Sequence, residues 1–101
     1  MKAYYQSSLK DFMLAGNEEI LGSLSSLHFQ KLEHQQTRAW NYQIDYLHAQ
    51  LKSEWDGKIY FEFMIPRMGK RADCVLLLDA CIFVIEFKVG SSGFDRSAID
   101  Q

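Results

Sequence analysis

The sequence contains one proline, two cysteines and six glycines in 101 residues, and neither sign of charge dominates. Two cysteines, Cys74 and Cys81, are too few for the disulfide framework of a small secreted domain; they point to a reducing, cytoplasmic setting and to packing rather than redox roles. No apolar run approaches the roughly 18 residues of a membrane-spanning helix. The start, Met1-Lys2-Ala3-Tyr4-Tyr5-Gln6, lacks the apolar core and cleavage site of a signal peptide. Eleven basic and thirteen acidic side chains leave a formal charge of −2, so any attraction for nucleic acid has to be local. Gly90-Ser91-Ser92-Gly93 lacks the Lys-Ser/Thr of a phosphate-binding loop, which argues against ATPase activity. His28, His34 and His48 form no i, i+4 pair and have no cysteine at zinc spacing, and they read as structural.

What is present is an ordinary globular balance, 48% hydrophobic and 24% charged, in a chain long enough for one domain. The chain divides by texture into a helical part over 1–56, a three-stranded part over 57–90 and the start of a helix over 94–101. Ser7-Ser8 before Leu9, Phe12 and Met13 reads as a helix cap with a short apolar stripe. Asn17 is placed to cap a second helix carrying Ile20, Leu21 and Leu24, with Glu18 and Glu19 in its first turn. Trp40, Ile44, Leu47 and Leu51 lie on one helical stripe, which predicts a long helix from about Lys31 to Glu54 ended by Asp56-Gly57, with Trp40 and Trp55 in the core. Past Gly57 the pattern changes to β-formers. Strands are expected over Ile59–Ile65, closed by Pro66, then Ala72–Leu78 and Ile82–Lys88. The apolar run Ile82-Phe83-Val84-Ile85 suggests that the last is a central strand covered on both faces. Gly90–Gly93 reads as a flexible break, and Asp95 as the cap of a helix starting near Arg96. The fold class is α/β: helices first, then a mixed or antiparallel meander with the long helix on one face.

The chemistry concentrates where the last two strands meet. A two-residue loop at Asp79-Ala80 puts Leu78 opposite Cys81, Val75 opposite Val84 and Asp73 opposite Glu86, although Asp-Ala is a poor sequence for such a turn. Glu86 and Lys88 share that face by strand alternation. Two opposed carboxylates repel, and one tends to keep a proton near neutrality unless a cation compensates. A hard divalent ion, Mg²⁺ or Mn²⁺, would suit oxygen donors of this kind and would polarise a phosphate and its attacking water, with Lys88 to orient that water. The alternative is two strand-end acids, one of them bridged to Lys88. Arg67, Lys70 and Arg71 make a local patch of three positive charges just before Asp73, suited to a phosphate backbone or equally to a solvated loop.

An acid opening one strand, Asp73, and Glu86-Phe87-Lys88 on the next resemble the PD-(D/E)XK nuclease superfamily. More narrowly, the stretches Phe61–Asp73 and Val84–Gly90 resemble the N-terminal nuclease-like region of a bacterial family of Schlafen-group-like DNA/RNA helicase proteins. Ala72 stands where the proline that names the superfamily would be. The resemblance implies a restriction-endonuclease-like fold, truncated here before its second core helix and last strand, and Mg²⁺-dependent hydrolysis of phosphodiester bonds in DNA, or alternatively RNA. Asp73 and Glu86 would ligate the metal and Lys88 would position water. It also implies a further acid, for which Glu62 is a candidate beside Glu33, Asp45 and Glu54, and a Gln near the metal, for which Gln101 is the candidate. The other readings are a nucleic-acid-binding or scaffold domain that hydrolyses nothing, and a fragment without activity. A sheet missing its second helix would expose an apolar face, so self-association is expected of the chain alone.

Overall fold

In the computed structural model, residues 3–26, 34–90 and 93–94 are described. The order of elements is β1 (Tyr5–Ser8), α1 (Leu9–Leu14), α2 (Asn17–Ser26), α3 (His34–Gln50), β2 (Gly57–Ile65), β3 (Lys70–Leu78), β4 (Cys81–Ile85), β5 (Val89–Gly90) and β6 (Gly93–Phe94). Strands β1 to β4 form one antiparallel sheet in the order β1-β2-β3-β4, and β5 pairs with β6 in a separate two-stranded ladder. The chain is thus a mixed α/β fold built on a four-stranded antiparallel sheet. No helix among the described residues is long and apolar enough to cross a membrane.

Helix α1 starts where the sequence places it, because the Ser8 hydroxyl accepts the Asp11 N–H at 3.0 Å. Asn17 does not act as the expected cap. It lies inside the first turn of α2, and its amide donates to Asp45 Oδ1 at 2.8 Å and Asn41 Oδ1 at 3.2 Å, tying α2 to α3. Helix α3 ends at Gln50, earlier than expected, because residues 52–56 are exposed and offer nothing to bury. Trp55 is accordingly exposed rather than in the core. Gly57 opens β2 because a Cβ there would collide with the Leu77 carbonyl oxygen and Leu78 side chain.

The predicted stripe of α3 faces the sheet. Trp40, Ile44 and Leu47 are buried in one cluster with Leu9, Phe12, Ile20, Leu24, Ile59, Phe61, Cys74, Leu76 and Phe87, and Leu51 packs at its margin. Phe87 meets Tyr42 and Tyr46 of α3 edge-on, at centroid distances of 6.3 and 5.8 Å. His48 is structural, as its spacing suggests: its Nε2 lies 2.9 Å from the Phe12 carbonyl.

Two further expectations are corrected. Strand β1 lies in the part read as helical; its pairing of Tyr5 with Phe61 and Ser8 with Lys58 is made across half the chain and leaves little local signal in Tyr-Gln-Ser-Ser. Strand β4 stops at Ile85 and is an edge strand, not a central one: Ile82, Phe83 and Val84 are 69%, 48% and 58% exposed, and Cys81 is exposed with them. Gly90 and Gly93 pair with each other at the end of the β5–β6 ladder, while Ser91 and Ser92 of the expected break lie outside the described residues. The helix proposed from Arg96, its cap Asp95, Gln101, His28 and Glu33 lie outside the described residues.

The β3–β4 register matches the expected one at every pair, from Leu78 with Cys81 to Cys74 with Ile85. The chain makes the tight turn despite its sequence, since Asp79 has φ 47° and Ala80 φ 66°. Both signs are those a type I′ turn requires, and alanine occupies a region that glycine enters without steric cost. Ala80→Gly is therefore expected to raise the unfolding free energy by about 1 kcal/mol. Urea denaturation of the two proteins tests this, and a less stable glycine variant would contradict the turn geometry.

Candidate acidic site

Asp73 lies between Ala72 and Cys74, both fully buried, so by alternation it points to the face of the sheet opposite the helices. Its partner Glu86 follows the last β4 residue. At this position the main-chain ladder gives way to side chains: the Asp73 N–H donates to Glu86 Oε2 at 3.0 Å, and the Phe87 N–H donates to Asp73 Oδ2 at 2.7 Å. Each carboxylate thus holds the backbone next to the other. Oδ1 of Asp73 and Oε1 of Glu86 receive no hydrogen bond from the described residues.

Burial raises the Asp73 carboxyl to about pH 6, with the Glu86 and Glu62 charges adding and the Phe87 N–H opposing. Burial also pushes the neighbouring Cys74 thiol up to about 12, so this thiol is inert. Lys88, which alternation put on the same face, is exposed and forms no ion pair among the described residues.

Glu62 sits opposite Asp73 across the β2–β3 pairing. Phe61 pairs with Cys74 and Phe63 with Ala72, so the register is kept on both sides while Glu62 and Asp73 themselves are left out of the ladder. Glu62 has φ 55°, a strained conformation for a non-glycine residue. Two side chains hold it, in roles that the sequence reading gave to neither. The Trp40 indole N–H donates to Glu62 Oε2 at 3.3 Å, and Arg71 donates to the Glu62 carbonyl at 2.7 Å. The Arg71 guanidinium is itself stacked over Tyr4, with Cζ 4.3 Å from the ring centroid. The one signal in the sequence was chemical: a buried tryptophan needs an acceptor for its N–H, and β2 offers few.

The basic patch is therefore divided. Arg67 and Lys70 are exposed at the β2–β3 connection, where Pro66 and Arg67 (φ 71°) turn the chain and Met68 N–H donates to the Ile65 carbonyl at 3.3 Å. Arg71 is half-buried and committed to the Glu62 backbone. Asp45, a candidate for the further acid, is exposed on α3 and accepts from Asn17; Glu54 is exposed after α3. Among the described residues no three His, Cys, Asp or Glu side chains stand together closely enough to enclose a metal ion, so the acidic site is a pair with Glu62 nearby. An open groove of about 460 Å³ lies elsewhere, between Ser8, Lys10, Leu14 and residues 53–57; of the candidate acids only Glu54 lines it, and Asp73, Glu86 and Glu62 do not. No protein-family model, curated protein or solved structure matches this chain.

Two outcomes follow from this geometry. Because the folded Asp73 has a higher pKa than the unfolded one, its contribution to stability is fully present below about pH 4 and is lost as pH rises through about 6. Asp73→Asn, which keeps an acceptor for the Phe87 N–H, should remove that part of the pH dependence and gain on the wild type above pH 7. Thermal unfolding of both proteins between pH 4 and 8 measures it; parallel curves would show that Asp73 is not the group responsible. Arg71→Ala should cost about 1.5–3 kcal/mol, as expected for losing a charged hydrogen-bond donor, while Arg67→Ala and Lys70→Ala stay within about 0.5 kcal/mol. Equal losses at all three positions, read by denaturant melts, would refute the division of the patch.

Proposed function

We propose that the chain carries a metal-dependent phosphodiesterase site acting on nucleic acid, with a restriction-endonuclease-like arrangement of its meander. The observation that carries this reading is the mutual clasp of Asp73 and Glu86, which fixes two hard oxygen donors side by side at a strand end. The donor set suits Mg²⁺ or Mn²⁺. Such an ion is commonly held by only one or two carboxylates, keeps several waters and takes further oxygens from a substrate phosphate. The raised pKa of Asp73 is the mark of a carboxylate that a cation would relieve.

Asp73 and Glu86 would hold the ion through the oxygens that the clasp leaves over. Bound there, the ion would supply Lewis-acid stabilisation of the phosphate and a more acidic water. The protein's own groups do the rest. Phe87 and Asp73 N–H groups keep the two carboxylates from rotating apart. Lys88, exposed and two residues past Glu86, would donate to an incoming water or a phosphate oxygen. Arg67 and Lys70 would supply exposed positive charge for the phosphate backbone, DNA first and RNA as the other candidate. In the hydrolysis a water oxygen bonds to phosphorus, the phosphorus–ester oxygen bond breaks, and the leaving oxygen takes up a proton.

A second reading draws on the lack of a third ligand among the described residues and the lone Lys88: a nucleic-acid-binding domain that cleaves nothing. Cleavage of single- and double-stranded DNA and of RNA, with Mg²⁺ and with chelator, separates the two. The nuclease reading expects cleavage only with the ion, and a loss of roughly a hundredfold or more in Asp73→Asn and Glu86→Gln. Mg²⁺-independent binding without cleavage, together with no heat of Mg²⁺ binding at millimolar ion, would establish the second reading in its place.

A further inference from the structure

The two edges of the sheet are unlike. The β1 edge is four residues long, carries Gln6, Ser7 and Ser8, and runs straight into α1. Short, polar edges of this kind resist pairing with another sheet. The β4 edge has none of these protections. Cys81-Ile82-Phe83-Val84-Ile85 holds no charge, no proline and no glycine, and no described strand pairs with its free side. Ile82, Phe83 and Val84 are also among the most exposed large apolar side chains of the fold.

Their alternation says what kind of partner fits. Ile82 and Val84 point to one face of the sheet and Phe83 to the other. A helix laid on the sheet would cover one set and leave the other in water. Another strand beside β4 would flank both sets and pair the unused N–H and C=O groups.

We propose that β4 pairs antiparallel with β4 of a second copy of this chain, about a two-fold axis through Phe83, to give a continuous eight-stranded sheet. In that register Phe83 faces its own symmetry mate, Ile82 faces Val84, and Cys81 faces Ile85. All five positions are apolar against apolar, and no charge enters the paired stretch; Glu86 and Lys88 fall beyond it. Displacing the strands by two or more residues would bring Glu86 or the Asp79–Ala80 turn against the apolar run. The two-fold consumes both β4 edges, so that of the four-stranded sheets only the β1 edges stay outside among the described residues, and the assembly closes at two copies.

Sedimentation equilibrium of the full chain over a wide concentration range tests the proposal without reference to any activity. The expected result is a concentration-dependent species of twice the chain mass. Val84→Lys should return it to a single copy with an unchanged circular dichroism spectrum, and Leu14→Lys, at an exposed apolar residue of α1 rather than of the sheet edge, should leave the dimer intact. Residue-resolved hydrogen exchange on the unaltered protein gives a second reading: amides within Cys81–Ile85 should gain protection as concentration rises. A single copy at every concentration, a dimer indifferent to Val84→Lys, open-ended assembly, or no gain in protection along β4 would each overturn it.

Discussion

The exchange of amides and carboxylates between Asp73 and Glu86 sets the character of this molecule. An antiparallel ladder normally satisfies its main chain with main chain. Here the β3–β4 ladder stops one pair short, and two acidic side chains take over its last two N–H groups. That arrangement solves a backbone problem and creates an electrostatic one. The donors are satisfied without water, but an acid is buried beside Ala72 and Cys74 with a second acid next to it, and burial first, then the Glu86 charge, raises the Asp73 pKa to about 6. Under the proposed reading, this carboxylate, costly to ionise where it stands yet firmly held, is the group a bound cation would relieve.

The same region stores strain on its other side. The β2–β3 ladder opens at Glu62 and Asp73 and closes again in register, so the opening is not an inserted residue but a local refusal to pair. Glu62 is kept in its left-handed conformation by Arg71 from one side and the Trp40 indole from the other, and Arg71 is kept in turn by Tyr4. Strands β2 and β3, helix α3 and the residue before β1 thus converge on one backbone distortion beside the acidic pair. Strain of this order persists only where the surroundings over-determine it.

The edge strand carries a conflict between local sequence and position. Its residues are those of a buried strand, yet it borders the sheet. Nothing in its local propensity separates the two cases, because a run of Ile, Phe and Val is equally at home beside one neighbour or two. What differs is burial, and burial depends on what stands alongside.

Much of the framework was legible in the residues themselves. The long helical stripe of Trp40, Ile44 and Leu47, the Ser8 cap and the meander after Gly57 follow from periodicities of 3.6 and 2, which any stretch of sequence carries locally. The pairing of Asp73 with Glu86 was legible for the same reason, since a two-residue turn fixes every register beyond it, even with Asp-Ala in the turn. The rest depends on residues far apart in the chain. Strand β1 exists because Tyr5 finds Phe61; Asn17 reaches Asn41 and Asp45 instead of its own helix; Arg71 leaves the basic patch for Tyr4 and the Glu62 carbonyl. Such choices are made when elements pack, because a hydrogen-bond donor takes whichever acceptor tertiary structure leaves within reach, and a periodicity cannot say which one that is.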